Sequence, residues 1–129
     1  MKVITLKQPW ATLVAEGIKT WEFRSWRYSY RGEILIHAGA GVDKDAMKKV
    51  ESLGLEFPQK KIIAKVTIED CLELNNDLNK MICESNPMVY GNKNRTGFVW
   101  KLKDAKKLNI DKIISGKQGI WNYEEKIEN

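Results

Sequence analysis

The sequence predicts an α+β fold, a small mixed β-barrel of five to six strands flanked by short helices. Period-two apolar patterns recur along the chain, and short helical patterns separate them without the strict strand–helix alternation that a doubly wound parallel sheet requires. At 129 residues, 43% of them hydrophobic and 30% charged, the chain is long enough to bury one core and has the composition of an ordinary globular domain. No internal repeat, low-complexity tract or linker interrupts it, so residues 1–129 are read as a single domain.

The elements follow in order. Residues 2–6, KVITL, are β-branched and alternating, which suits a short strand. Pro9 opens a helix with apolar residues at Trp10, Leu13 and Val14, and Gly17 offers the left-handed position that ends it. TWEFRSW then alternates, with Trp21 and Phe23 on one face and Thr20, Glu22 and Arg24 on the other. A tyrosine-rich loop and an Arg31-Gly32 turn lead into EILIHA, an apolar run that reads as a central strand ending at His37. Asp43 is placed to cap a helix whose apolar face is Ala46, Met47, Val50 and Leu53, with Gly54 as its stop. Lys61–Leu72 alternates as a long half-buried strand. Asn76 is expected to cap a helix carrying Leu78, Met81 and Ile82, halted by Asn86-Pro87. Strands are expected at residues 97–103 and around Lys106–Ile110, before a terminal GKQGIW.

Twenty-two Lys and Arg against 17 Asp and Glu leave a net charge of +5, a moderate excess that favours polyanionic partners such as RNA without requiring them. No apolar run is long enough to cross a bilayer, and MKVITLKQPW lacks the features of a secretory signal, so a cytoplasmic location and no membrane partner are expected. Cys71 and Cys83 read as plain thiols. One histidine and two separated cysteines do not make a metal site, and His37 at a strand end reads as structural. Neither a metal nor a cofactor is expected.

The candidate functional segment runs from Gln8 to Arg24. Residues two apart on a strand lie about 6.7 Å apart and point the same way, so Lys19, Glu22 and Arg24 share a small space beside a helix end. At an effective dielectric of about 20, opposite charges about 6 Å apart attract by roughly 3 kcal/mol, whereas a solvated pair nets about 1 kcal/mol or less. Burial therefore decides their meaning. On a solvated face they are an ordinary surface pair; in a cleft they become a fixed carboxylate acceptor and a planar guanidinium fork suited to phosphate or a base edge.

QPWA at 8–11, GIKTWEFR at 17–24, Ser25-Trp26, Arg31-Gly32 before a strand and the terminal GKQGIW together resemble the ASCH domain, a relative of the PUA-like RNA-binding barrels. The family hallmark is Gly-x-Lys-x-x-Glu-x-Arg, and Gly17, Lys19, Glu22 and Arg24 match each defined position. The likeness spans essentially the whole chain and suits a small stand-alone member. It implies a PUA-like barrel with a helix beside a cleft, and binding of RNA or a nucleoside-like small molecule there. The ligand-binding residues it points to are Gln8, Trp10, Lys19, Glu22, Arg24 and Trp26. Lys19 offers a cation for phosphate, Arg24 a directional fork and Glu22 an acceptor for base amino groups, while Trp10, Trp26, Tyr28 or Tyr30 offer flat faces for unstacked bases. Trp21, Trp100 and Trp121 are assigned to the core by their alternation with other apolar groups.

The resemblance also implies a hydrolytic alternative at the same cleft, on an N4-acylated cytidine amide or an RNA phosphodiester, with Lys19 and Glu22 as the catalytic residues. Some bacterial relatives cleave N4-acetylcytidine with a Lys, Thr, Glu triad. Here Glu22 stands where those enzymes have threonine, Thr20 is out of register, and Glu69 and Glu73 are candidates for the third residue. For Lys19 to act as a base its pKa must fall from about 10.4 to near 7, roughly 5 kcal/mol of differential interaction, and Glu22 opposes that fall. Binding is therefore the preferred reading. A protein-interaction module is a third class.

Overall fold

The alternating segments become strands β1 (Lys2–Gln8), β2 (Trp21–Arg24), β3 (Gly32–Val42), β4 (Lys61–Glu73), β5 (Phe98–Lys107) and β6 (Ile120–Asn122), joined by helices α1 (Trp10–Ala15), α2 (Lys44–Val50), α3 (Asn76–Ser85) and α4 (Pro87–Tyr90). The computed structural model describes residues 1–127. Its strands form one mixed sheet in the order β2-β5-β4-β3-β1-β6, parallel between β1 and β3 and antiparallel elsewhere. Among the described residues β2 and β6 are the two edges, so this barrel-like sheet is not closed by hydrogen bonds. No described helix is long and apolar enough to cross a membrane.

Several boundaries differ from expectation for local reasons. The expected strand around Lys106–Ile110 does not form separately; Lys106 and Lys107 are the end of β5, paired with Lys65 and Ala64, and residues 108–110 are irregular. β3 continues past His37 to Val42 because Ala38 still pairs with β4 and Val42 with Gln8 of β1. Asn75, not Asn76, caps α3, its side-chain oxygen accepting from the Leu78 amide at 2.8 Å. Asn86-Pro87 stops α3 but also starts α4, with Asn86 as its cap. Asp43 caps α2 as expected, at 3.1 Å to the Ala46 amide, yet only Ala46 and Val50 of its apolar face are buried.

One face of the sheet holds Ile4, Leu6, Ile34, Ile36, Val66 and Trp100, with Ala11 and Val14 of α1 packed into the same cluster. Burying each such side chain contributes about 1.5–3 kcal/mol, so α1 is fixed against the sheet rather than lying on the surface. Leu13, on the other side of α1, joins Val50, Ile82, Val89, Tyr90 and Val99, which bind α2, α3 and α4 over the outer face of β5. Trp100 and Trp121 are buried; Trp21 is half-buried against the helical cluster.

On the outer face of β1 and β3, Val3, Leu35 and Ile62 pack with Trp121. There the Trp121 indole N–H donates to the Thr5 hydroxyl at 3.0 Å, Thr5 lies 3.1 Å from His37 Nδ1, and His37 Nε2 lies 2.6 Å from the Ile114 carbonyl. A carbonyl only accepts, so Nε2 carries the proton and Nδ1 accepts from Thr5. His37 is thus a fully buried, neutral, structural histidine that ties the chain before β6 to the sheet.

Burial pushes the His37 pKa below the usual 6.5, against a smaller upward pull from the Ile114 hydrogen bond. The unfolded chain takes up a proton below about pH 6.5 that the folded chain resists. The stability that neutral His37 contributes is therefore present above that pH and is lost as pH falls below it. Urea midpoints measured between pH 7.5 and 5 should fall more steeply for the wild type than for His37→Gln; parallel profiles would contradict this role.

Candidate functional site

The site is assembled around one chain reversal. Gly17, at φ +73°, ends α1 in the left-handed region. The amides of Ile18 and Lys19 then both donate to the Leu13 carbonyl, at 3.0 and 2.9 Å. Two bonds to one acceptor hold the backbone at Lys19, and β2 leaves from there to pair with β5, Glu22 opposite Trp100 and Arg24 opposite Phe98.

Lys19 and Glu22 are both buried, and the lysine Nζ donates to Glu22 Oε1 at 2.9 Å and to the Trp21 carbonyl at 2.5 Å. Nζ also lies 5.9 Å from the centroid of the Trp10 ring and 5.8 Å from that of Phe23, within cation–π range. Burial pushes the Lys19 pKa below the ordinary lysine value, the Glu22 charge and hydrogen bond pull it back up, and Arg95 and Arg24 push it down further. An ion pair removed from water needs nearly ideal geometry to offset its desolvation. Here the short contacts provide that geometry, and the aromatic rings hold it.

Tyr90, delivered by α4, covers the free edge of β2. Its hydroxyl accepts from the amides of Thr20 and Trp21, at 3.0 and 3.1 Å, satisfying two donors that an edge strand otherwise presents to solvent. Burial pushes the Tyr90 pKa up, partly offset by these bonds, so the phenol stays protonated across the neutral range. Its ring meets Phe23 edge to face at 6.1 Å. Arg95 donates to the Tyr90 carbonyl at 2.7 Å and lies 4.2 Å from the Phe23 ring centroid.

These groups line a cleft of about 240 Å³, with Trp10, Lys19, Glu22 and Tyr90 among its walls and Asp43, Lys93 and Arg95 on its polar side. A second cavity of about 280 Å³ shares Trp10, Asp43, Tyr90, Lys93 and Arg95 with it and so adjoins it. The cleft thus presents an acceptor, cations, a phenol and an indole face along one lining.

Arg24 and Trp26 stand elsewhere. They line a separate groove of about 460 Å³ with Lys7 and Lys117, and the Arg24 guanidinium lies 5.6 and 5.9 Å from the rings of Trp26 and Trp100. Gln8 is buried and its amide is engaged within the protein, donating to the Pro58 carbonyl at 2.7 Å and accepting from the Thr12 amide at 3.0 Å; it braces α1 from below. Tyr28 stacks on Trp100 at 5.3 Å and Tyr30 packs against Tyr28 at 5.9 Å. Glu69 bonds to Lys101 and Lys103, and Glu73 to Arg27, so both face outward, away from the cleft. Tyr90, Lys93 and Arg95 escaped the sequence reading because they come from a helix turn and a polar loop far along the chain. Asp43, the cap of α2, also lines both cavities. No group of three or more potential metal ligands occurs among the described residues.

With this geometry in place, comparison with known proteins is informative. The ASCH domain model matches residues 4–118. Activating signal cointegrator 1 of Homo sapiens is 28% identical over 138 residues and that of Mus musculus 26% over 136 residues. Each alignment covers 96% of this chain and 22% of the relative, so the chain spans less than a quarter of those proteins. The crystal structure of ASCH from Zymomonas mobilis superimposes with a TM-score of 0.56 at 17% identity, covering 95% of this chain and 87% of that one. A single-site variant of the same protein gives 0.58 at 16% identity, covering 95% and 88%. At such identity the likeness is one of fold.

The buried pair and the phenol are separable by stability measurements. Glu22→Ala leaves the Lys19 ammonium without its partner and should cost about 3–5 kcal/mol. Tyr90→Phe leaves two amides without an acceptor and should cost about 1–3 kcal/mol. Chemical unfolding of both variants checks this; a loss below about 1 kcal/mol for Glu22→Ala, as for an exposed pair, would show that the pair is solvated.

Proposed function

This chain belongs to the ASCH domain family, and on that premise we propose that it binds RNA or a modified nucleoside, taking one base into the cleft beside Lys19 and Glu22. The observation that carries this reading is the buried Lys19–Glu22 pair opening onto a cleft of about 240 Å³. That volume falls below the roughly 300–1,000 Å³ of pockets for drug-sized ligands and suits a single base. Trp10 supplies a stacking face, Glu22 an acceptor for an exocyclic amino group, and Tyr90 and Arg95 polar groups for a ribose or its substituents. Lys93 and Arg95 outnumber Asp43 among the lining residues, in line with the net charge of +5.

Hydrolysis is the second reading, favoured by one observation: burial lowers the Lys19 pKa. A neutral Lys19 amine beside an N-acylated base would take the proton from an attacking water as the water oxygen bonds to the acyl carbon. The amide C–N bond then breaks and the proton passes to the departing exocyclic nitrogen. Glu22 holds the ammonium form once it arises. The same pair also favours protonation of Lys19 in the resting state, and this ranks hydrolysis below binding.

Calorimetric titration with cytidine, N4-acetylcytidine and the four homopolymeric single-stranded RNA pentamers, alongside mass spectrometry of the mixtures, tests both readings. Wild-type protein should bind at least one ligand, and Lys19→Ala should weaken it about tenfold or more while releasing no product in either protein. Deacylation or strand cleavage that disappears in Lys19→Ala would replace binding by hydrolysis; unchanged affinity in Lys19→Ala and Glu22→Gln would overturn the cleft as the site.

A further inference from the structure

We propose that the groove holding Lys7, Arg24 and Lys117 is a second subsite, which takes the phosphodiester backbone of a single-stranded nucleic acid whose base lies in the Lys19 cleft; this makes a strand, not a free nucleoside, the ligand that uses the whole site. The inference rests on the binding reading above and names its ligand class.

The groove, about 460 Å³, is bounded by the end of β1, by Gly39–Gly41 of β3, by Arg24 at the end of β2 and by residues 117–119. Three cations line it and no carboxylate does, in a chain whose 17 acidic residues elsewhere pair repeatedly with its 22 basic ones. Arg24 is the least exposed of the three. It is half-buried, its guanidinium lies 5.6 Å from the Trp26 ring centroid and 5.9 Å from that of Trp100, and no described carboxylate lies within ion-pair distance of it. Both rings are within cation–π range of the guanidinium, and its planar fork matches two phosphate oxygens. Lys7 and Lys117 are exposed point charges on the rim, suited to neighbouring phosphates along a flexible strand.

The groove and the cleft are separate cavities set on one short strand. Arg24 follows Glu22 by two residues on β2, about 6.7 Å along the strand, and its charge acts on Lys19. A strand with its base at Glu22 would meet in Arg24 a guanidinium that donates to phosphate oxygens. The backbone wall is also thin: a side chain at Gly39 would come within 2.8 Å of Thr5 Cγ2, and one at Gly41 within 3.0 Å of Lys7 Cγ, so glycine at both positions keeps the floor of the groove low.

The test compares the RNA pentamers with the matching free nucleosides, measured from 50 to 300 mM salt in wild type, Lys7→Gln/Lys117→Gln and Lys19→Ala. Both lysines are exposed, so the double variant should keep its fold, which circular dichroism verifies. Each lost phosphate contact on a single strand lowers the slope of log K against log salt by about 0.7, so the double variant should lose about 1.4 from the pentamer slope while binding the nucleoside as the wild type does. Pentamer slopes equal in the two proteins would overturn the subsite alone. Pentamer binding that depends on the lysines but not on Lys19 would keep the subsite and overturn the cleft reading. A wild-type protein that binds no pentamer overturns both.

Discussion

The arrangement depends on a lysine and a glutamate that the fold takes out of water together. Neither can be buried alone, because an unpaired charge in the interior costs several kcal/mol; each is therefore a condition for the other. The pair is made possible by the reversal after α1, where two amides on one carbonyl fix the position of Lys19, and by the pairing of β2 with β5, which turns Glu22 toward the same side as Trp100. Tyr90 completes it by satisfying the exposed edge of β2. If any of the three fails, water reaches the pair and it becomes an ordinary surface contact.

Seen this way, the helices have a division of labour. α1 carries no charged partner for the site; it packs into the sheet with Ala11 and Val14 and anchors through Gln8, whose amide ties its first turn to the segment at Pro58. α4 contributes only four residues, yet its last one closes the cleft. α2 and α3 support α4 from outside through Val50 and Ile82. The cleft is thus built on rigid elements, which is what a site that must hold polar groups at fixed distances requires.

Much of this was legible in the residues. The two-residue period places Trp21 and Phe23 on one face of β2, and both join the helical cluster; Glu22, on the other face, pairs across the sheet with Trp100. Gly17 marks the end of α1, and the match of Gly17, Lys19, Glu22 and Arg24 to one motif singles out the segment that carries the buried Lys19–Glu22 pair. What periodicity does not carry is distance across the sheet. Glu22 and Arg24 open onto different cavities, Glu22 beside Trp10 and Tyr90 and Arg24 beside Trp26, Lys7 and Lys117. Tyr90 and Arg95 arrive from some seventy residues away, and no local pattern announces such a meeting. The strand misread at Lys106–Ile110 has a similar origin: its first residues continue an existing pairing with β4, which alternation alone does not reveal.

A buried ion pair is weak evidence for stability, since well-packed apolar residues of similar volume often replace one with no loss or with a gain of about 1–4 kcal/mol. On the binding proposal, Lys19 and Glu22 are therefore placed for a ligand and not for the fold. The measurement that tests this most directly is the unfolding free energy and ligand affinity of one variant, Lys19→Met/Glu22→Leu, side by side. The expected result is stability equal to or above that of the wild type together with loss of nucleoside and RNA binding. A folded double variant that binds as well as the wild type would contradict it.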